Sequence, residues 1–181
     1  EILICGGYKI TILKNYYKNN KNIKVLNTGV YSQTGARIKK IKQFLGDNEN
    51  FFLTYGDGLS NIDIDKLLAY HIKHKKIATL TAVRPIPRFG HLTLEKDNVI
   101  QFKEKDRMSE GWINGGFFVL NKKIFKYISN NNTVFEKYPM EKLSKAKQLN
   151  AYKHFDFWQC MDTKRDRDRL NNIFKKNLIK F

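Results

Sequence analysis

Cysteine and acidic residues are the scarce elements of this chain of 181 residues. Only Cys5 and Cys160 occur, far apart and outside any paired ligand spacing. That argues against a disulfide scaffold or a cysteine zinc site and suits a reduced cytosol. No apolar run approaches the ~18 residues that would span a bilayer, so no membrane partner is expected. The opening Glu1-Ile2-Leu3-Ile4-Cys5 lacks the length and the basic flank of a secretory signal. There is no internal repeat and no linker long enough to divide the chain, so residues 1–181 read as a single domain. Glu1 already lies inside a strand-like run, and the domain is therefore expected to be incomplete at its N-terminus.

Acidic residues number 17 against 34 Lys and Arg, a net charge of +17. A basic surface attracts anions, nucleic acid and phosphorylated substrates among them. The alternative is a diffuse lysine bias over solvated faces. The basic residues are scattered along nearly every predicted helix rather than gathered in one stripe, which favours the diffuse reading and no specific nucleic acid.

Strand-like and helix-like segments alternate, the pattern of an α/β three-layer sandwich around a mostly parallel mixed sheet. Strands are predicted at residues 1–5, 23–26, 51–55, 78–83, 113–120, 149–152 and 157–159. Residues 91–102 read as a hairpin turning at Lys96-Asp97-Asn98. Helices are predicted over 9–18, 36–45, 122–128 and 140–147. A further helical face is marked by Ile64, Leu67, Leu68 and His71, and a C-terminal one by Leu170, Ile173, Phe174 and Leu178. His71 reads as a core-edge packing residue. The apolar run 51–55 has the look of a buried central strand.

Two strand ends carry carboxylates. Phe51-Phe52-Leu53-Thr54-Tyr55 runs into Gly56-Asp57-Gly58, and Phe157-Trp158-Gln159 runs through Cys160-Met161 into Asp162. Ligands of open α/β sheets bind at the C-terminal edge of the strands. Asp is a hard oxygen ligand suited to Mg²⁺. Asp57 could equally be the N-cap of the helix that follows it, and for Asp162 composition alone favours the N-cap of the helix from Lys164 onward. Two such carboxylates on one sheet are what a shared Mg²⁺ site requires, and the pair favours the ligand reading. Cys160 reads as filler rather than nucleophile, since no base partner is visible.

The segments NTGVYSQTGAR (27–37), FFLTYGDGLSNIDI (51–64), TAVRPIPRFGHL (81–92), WINGGFFVLN (112–121) and FWQCMDT (157–163) occur in that order. Together they resemble the glucose-1-phosphate cytidylyltransferases of the sugar-1-phosphate nucleotidyltransferase family, whose fold is Rossmann-like. By this resemblance Asp57 and Asp162 are the catalytic carboxylates and hold Mg²⁺. Ser32, Arg37 and Gly56 contact the nucleotide, Glu104 and Lys105 hold the sugar and its phosphate, and Asn114 and Gly115 form the sugar-binding turn.

The implied reaction is an in-line attack of the glucose 1-phosphate oxygen on the α-phosphorus of CTP, giving CDP-glucose and pyrophosphate. It needs positioning and charge neutralisation, not a protein nucleophile. The resemblance also implies a cytoplasmic enzyme of nucleotide-sugar biosynthesis, with a homo-oligomer among the expected assemblies. Ala36 stands in place of a second glycine, Asp106 in place of a proline, and the stretch between Gly7 and Asn27 is short for the family. The family's glycine-rich phosphate loop does not precede Glu1, so little turnover is expected of the isolated chain. Rival readings are another nucleotide or sugar phosphate, a non-catalytic fragment, and a basic nucleic-acid-binding module.

Overall fold

The computed structural model describes residues 1–85, 89–104 and 111–179. These residues form an α/β fold with both parallel and antiparallel strand pairs. The chain divides into two compact units, residues 1–51, 76–78 and 120–150 in the first and 52–75, 79–119 and 151–181 in the second.

In the first unit, β1 (Ile2–Gly6) and β2 (Ile23–Asn27) pair in parallel, with α1 (Ile10–Tyr17) as the crossover between them. A parallel pair requires such a crossover, and the predicted 9–18 helix supplies it. Helix α2 spans Thr34–Lys40, and a 3-10 turn, Lys42–Phe44, follows it. It therefore starts earlier and stops sooner than its periodicity suggests. Its start is set by long-range contacts: Thr34 Oγ1 donates to Glu136 (2.7 Å) and accepts from the Phe135 amide (2.9 Å). The Gly35 amide donates to Thr133 O at 3.0 Å. Ala36, Ile38, Ile41, Ile124, Phe125, Phe135 and Leu143 are buried in this unit, the last on α4 (Tyr138–Lys145).

The second unit holds most residues of a four-stranded sheet, ordered β3 (Asn50–Thr54), β8 (Ile113–Asn121), β5 (Ala78–Val83) and β9 (Leu149–Lys153). β5 and β8 are the interior strands and carry the buried Thr79, Thr81, Val83, Phe118 and Val119. β3 ends the strand order, and Phe52 on it stays half exposed. The most buried strand is thus β5, not the 51–55 run. Helix α3 (Ile64–His74) lays Leu67 against Ile62 and Val119.

A short β4 (Gly58–Ser60) pairs antiparallel with β10 (Trp158–Cys160), and β6 (His91–Glu95) pairs antiparallel with β7 (Asn98–Lys103) as the predicted hairpin. β4 has no signature in the sequence, since three residues are too few to show a period. In α5 (Lys164–Lys175) only Leu170 of the predicted stripe is buried. Phe174 and Leu178 face outward.

Candidate active site

The second unit sets the backbone at Asp57 beside the residues that lead into Asp162. The β4–β10 register sets Gly58 opposite Cys160, and the Met161 amide donates to Asp57 O at 2.8 Å. Asp57 therefore stands opposite Met161, with Asp162 the next residue along, and both side chains are exposed. Neither Asp caps a helix. The cap of α3 is Asp63, whose Oδ1 accepts from the Lys66 amide at 2.9 Å. The cap of α5 is Thr163, in a reciprocal capping box with Asp166. The alternative use of each carboxylate is thus taken by a neighbour. No described residue forms a hydrogen bond or ion pair with the Asp57 side chain. Asp162 Oδ2 accepts from the Cys160 thiol at 3.1 Å.

Cys160 itself is held back from chemistry. Burial, then the hydrogen bond and charge of Asp162, push its thiol up to about 11, so it stays protonated and poorly nucleophilic at neutral pH. The other cysteine, Cys5, is also raised by burial, partly offset by Arg37.

Behind the carboxylates, the glycine pair of β8 closes the packing. Trp158 Nε1 donates to Gly115 O at 2.7 Å, and a Cβ on Gly115 would come within 2.8 Å of Val83. Gly116 sits at φ 79°, and a Cβ there would meet the Tyr55 ring at 2.7 Å. Asn114 Oδ1 accepts from the Gly116 amide at 2.9 Å, while its Nδ2 donates to the Tyr55 hydroxyl at 3.3 Å. Asn114 is exposed and fixed, a suitable state for a residue that binds hydroxyls. Gly56 is exposed, with open space where a side chain would be. Glu104 is exposed at the end of β7, and a Cβ on Gly90 would lie 3.0 Å from its Oε2. Lys105 lies outside the described residues.

The first unit brings together Ser32 and Arg37. Arg37 Nη1 donates to Thr28 Oγ1 (2.8 Å) and Gly6 O (3.3 Å), and Nη2 to Val30 O (3.4 Å). Thr28 is buried and donates to Gly6 O at 2.8 Å, which ties the ends of β1 and β2 to the loop before α2. Lys40 joins them: its Nζ donates to Thr28 O and to Ser32 Oγ, each at 2.8 Å. Sequence reading missed Lys40 and Thr28. The only available signal was helical spacing, which sets Lys40 three residues beyond Arg37 on α2.

Two strand-end carboxylates, and a loop whose following helix turns Arg37 and Lys40 onto it, are suited to phosphoryl chemistry, and comparison with known proteins agrees. The model of one protein family, Nucleotidyl transferase, matches residues 1–163. The chain belongs to that family. Among curated nucleotidyl transferases it is 36% identical over 201 residues to the glucose-1-phosphate cytidylyltransferase of Salmonella typhi, covering 97% of this chain and 78% of that protein. It is 31% identical over 163 residues to the D-glycero-alpha-D-manno-heptose 1-phosphate guanylyltransferase of Aneurinibacillus thermoaerophilus, covering 87% and 68%. Among solved structures, HddC from Yersinia pseudotuberculosis superposes with a TM-score of 0.69 at 20% identity, over 96% of this chain and 78% of that one, which shows a shared fold. This nucleotidyl transferase is thus an enzyme of the type that joins a nucleotide to a sugar 1-phosphate. No helix among the described residues is long and apolar enough to cross a membrane.

Two carboxylates suit a divalent cation of the Mg²⁺ kind, which takes few protein ligands and completes its shell with water and substrate phosphate. Among the described residues no cluster of three or more His, Cys, Asp or Glu forms a closed cage.

Proposed function

We propose that the protein transfers the cytidylyl group of CTP to α-D-glucose 1-phosphate, giving CDP-glucose and pyrophosphate, with Mg²⁺ as cofactor. The observation that carries this is the backbone adjacency of Asp57 and Asp162 at adjoining strand ends, with the helix caps beside them supplied by Asp63 and Thr163. The base and sugar come from the similarity to the Salmonella typhi enzyme. In this reading Asp57 and Asp162 hold the metal, which when bound neutralises charge on the reacting phosphates. Arg37 and Ser32 contact the nucleotide, with Gly56 leaving it room. Glu104, Lys105, Asn114 and Gly115 orient the sugar and its phosphate so that the attacking oxygen lines up with the α-phosphorus. No side chain becomes covalently attached, which agrees with the raised Cys160 thiol. The reading places the work in the cytoplasm, in nucleotide-sugar synthesis of the kind that feeds lipopolysaccharide O-antigen.

The test is a pyrophosphate-release assay with glucose 1-phosphate and each of CTP, UTP, GTP and dTTP, with Mg²⁺ and with excess EDTA. CTP with Mg²⁺ should be the productive combination. Preference for another nucleotide would move the protein elsewhere in its family, and full activity in EDTA would remove the metal from the account.

A further inference from the structure

The hydroxyl of Ser32 has a fixed polarity. A serine hydroxyl carries one proton and two lone pairs. Here Oγ donates to Thr28 O at 2.6 Å and accepts from Lys40 Nζ at 2.8 Å. The same ammonium donates to Thr28 O at 2.8 Å, closing a three-membered ring of contacts. A carbonyl cannot donate and an ammonium cannot accept, so the two partners fix the direction of each bond. The single proton of Ser32 is turned inward, and one lone pair remains.

The backbone is shaped to allow this. Gly29 sits at φ 94°, and a Cβ there would lie 2.9 Å from Ser32 Oγ and 3.3 Å from Lys40 Nζ. Neither Lys40 nor Arg37 forms an ion pair among the described residues. The ammonium is thus held by neutral oxygens, with no carboxylate to draw it off the serine.

We propose that Lys40 is a positioning residue that makes Ser32 an acceptor only, so that the group it faces on a nucleotide is an N–H donor such as the exocyclic amino group of cytosine. This rests on the reading of Ser32 as a nucleotide contact. At the position of that amino group uracil and thymine carry a carbonyl, and two acceptors would then face each other. A buried or half-buried polar contact that meets the wrong partner costs more than a contact merely absent. Selection between the two pyrimidines therefore passes through a side chain that need not touch the base.

Calorimetric titration of CTP and UTP into wild-type protein, Ser32→Ala, Lys40→Met and Lys40→Arg tests this, with circular dichroism melts as the check on folding. Lys40 is exposed, so neither replacement should unfold the chain. Wild-type protein should prefer CTP. Lys40→Met frees the hydroxyl to turn its proton outward, and the CTP-to-UTP affinity ratio should fall by about three- to tenfold, the size of one hydrogen bond. Lys40→Arg should keep most of the ratio, and Ser32→Ala should narrow it. If Lys40→Met weakens both nucleotides equally, or leaves the ratio intact while Ser32→Ala narrows it, Lys40 does not act through Ser32 and the proposal fails alone. If Ser32→Ala matches wild type for both nucleotides, or neither binds wild-type protein, the nucleotide reading of Ser32 fails and the Lys40 assignment falls with it. A wild-type preference for UTP would overturn the donor–acceptor argument directly.

Discussion

The loop before α2 and the paired strand ends at Asp57 and Asp162 handle polar groups in opposite ways. Around the loop, Arg37 and Lys40 of α2 join Ser32 and the buried Thr28, with their hydrogen bonds directed at one another and at the carbonyls of Gly6, Thr28 and Val30. At the strand ends, two exposed carboxylates stand one register step apart, and the helix-capping work beside them is taken by Asp63 and Thr163. The first arrangement fixes direction and suits recognition. The second sets two carboxylates at the protein surface, where an incoming cation can reach them, and suits catalysis. A change in the loop should therefore alter which nucleotide is used, and a change at the strand ends should alter how fast.

The largest expected effect lies at the strand ends. Asp57→Asn keeps the shape and removes the charge, and should lower turnover by roughly 10² to 10³-fold, or ~3 to 4 kcal/mol, as for other lost electrostatic stabilisers. Its melting temperature should stay close to wild type, because the side chain is exposed and serves no part of the core. A matching loss of stability would mean that Asp57 is a structural residue after all.

A third polar set sharpens the contrast, since it is closed and also buried. His71 Nδ1 and His74 Nε2 both meet Thr79 Oγ1, at 2.8 and 2.7 Å. Burial, then the charge of His74, lowers His71 from 6.5 to about 4. Above pH ~6.5 His71 is neutral in both folded and unfolded chains, and its contribution to stability is full. Below that the unfolded chain takes up a proton that the folded chain refuses, and stability falls until the folded pKa near 4 is reached. The loss should be on the order of 1 to 3 kcal/mol, read by denaturant melts from pH 7 to 4. His71→Gln should flatten that part of the profile, and an unchanged slope would remove His71 as its source.

Smaller effects belong to the supports of the strand ends. Gly116→Ala places a Cβ at positive φ and against the Tyr55 ring, and should cost about 1 to 3 kcal/mol of stability. Thr163→Ala opens the capping box of α5 and should cost about 1 kcal/mol. Thermal melts check both. If Thr163→Ala leaves stability unchanged, the cap does not fall there and the argument that Asp162 is spared that role weakens.

Much of this was legible in the sequence. Long periodic segments and the Lys96-Asp97 turn announced the main elements, because burial of one face imposes a period that survives in the residue order. The strand ends at Asp57 and Asp162 were legible for the same reason. What the sequence did not reveal depends on partners far along the chain. Helix α2 begins at Thr34 because Glu136 and Phe135 bind it there. β4 exists because β10 lies beside it. Asp57 had an equal claim to be a cap or a ligand, and composition alone favoured a cap for Asp162, but Asp63 and Thr163 hold the capping positions. Lys40 carried no mark distinguishing it from the other lysines, and only its distances to Ser32 and Thr28 single it out.

The central claim is that Asp57 and Asp162 act as one cation site, and a double-mutant cycle on metal binding tests it most directly. Mg²⁺ would be titrated calorimetrically, with CTP present, into wild-type protein, Asp57→Asn, Asp162→Asn and the double variant. If the two carboxylates share one ion, each single replacement should remove most of the affinity and the second should add little to the first. Losses that simply add, or a single variant that binds Mg²⁺ as tightly as wild type, would show that the two carboxylates do not serve a common ion.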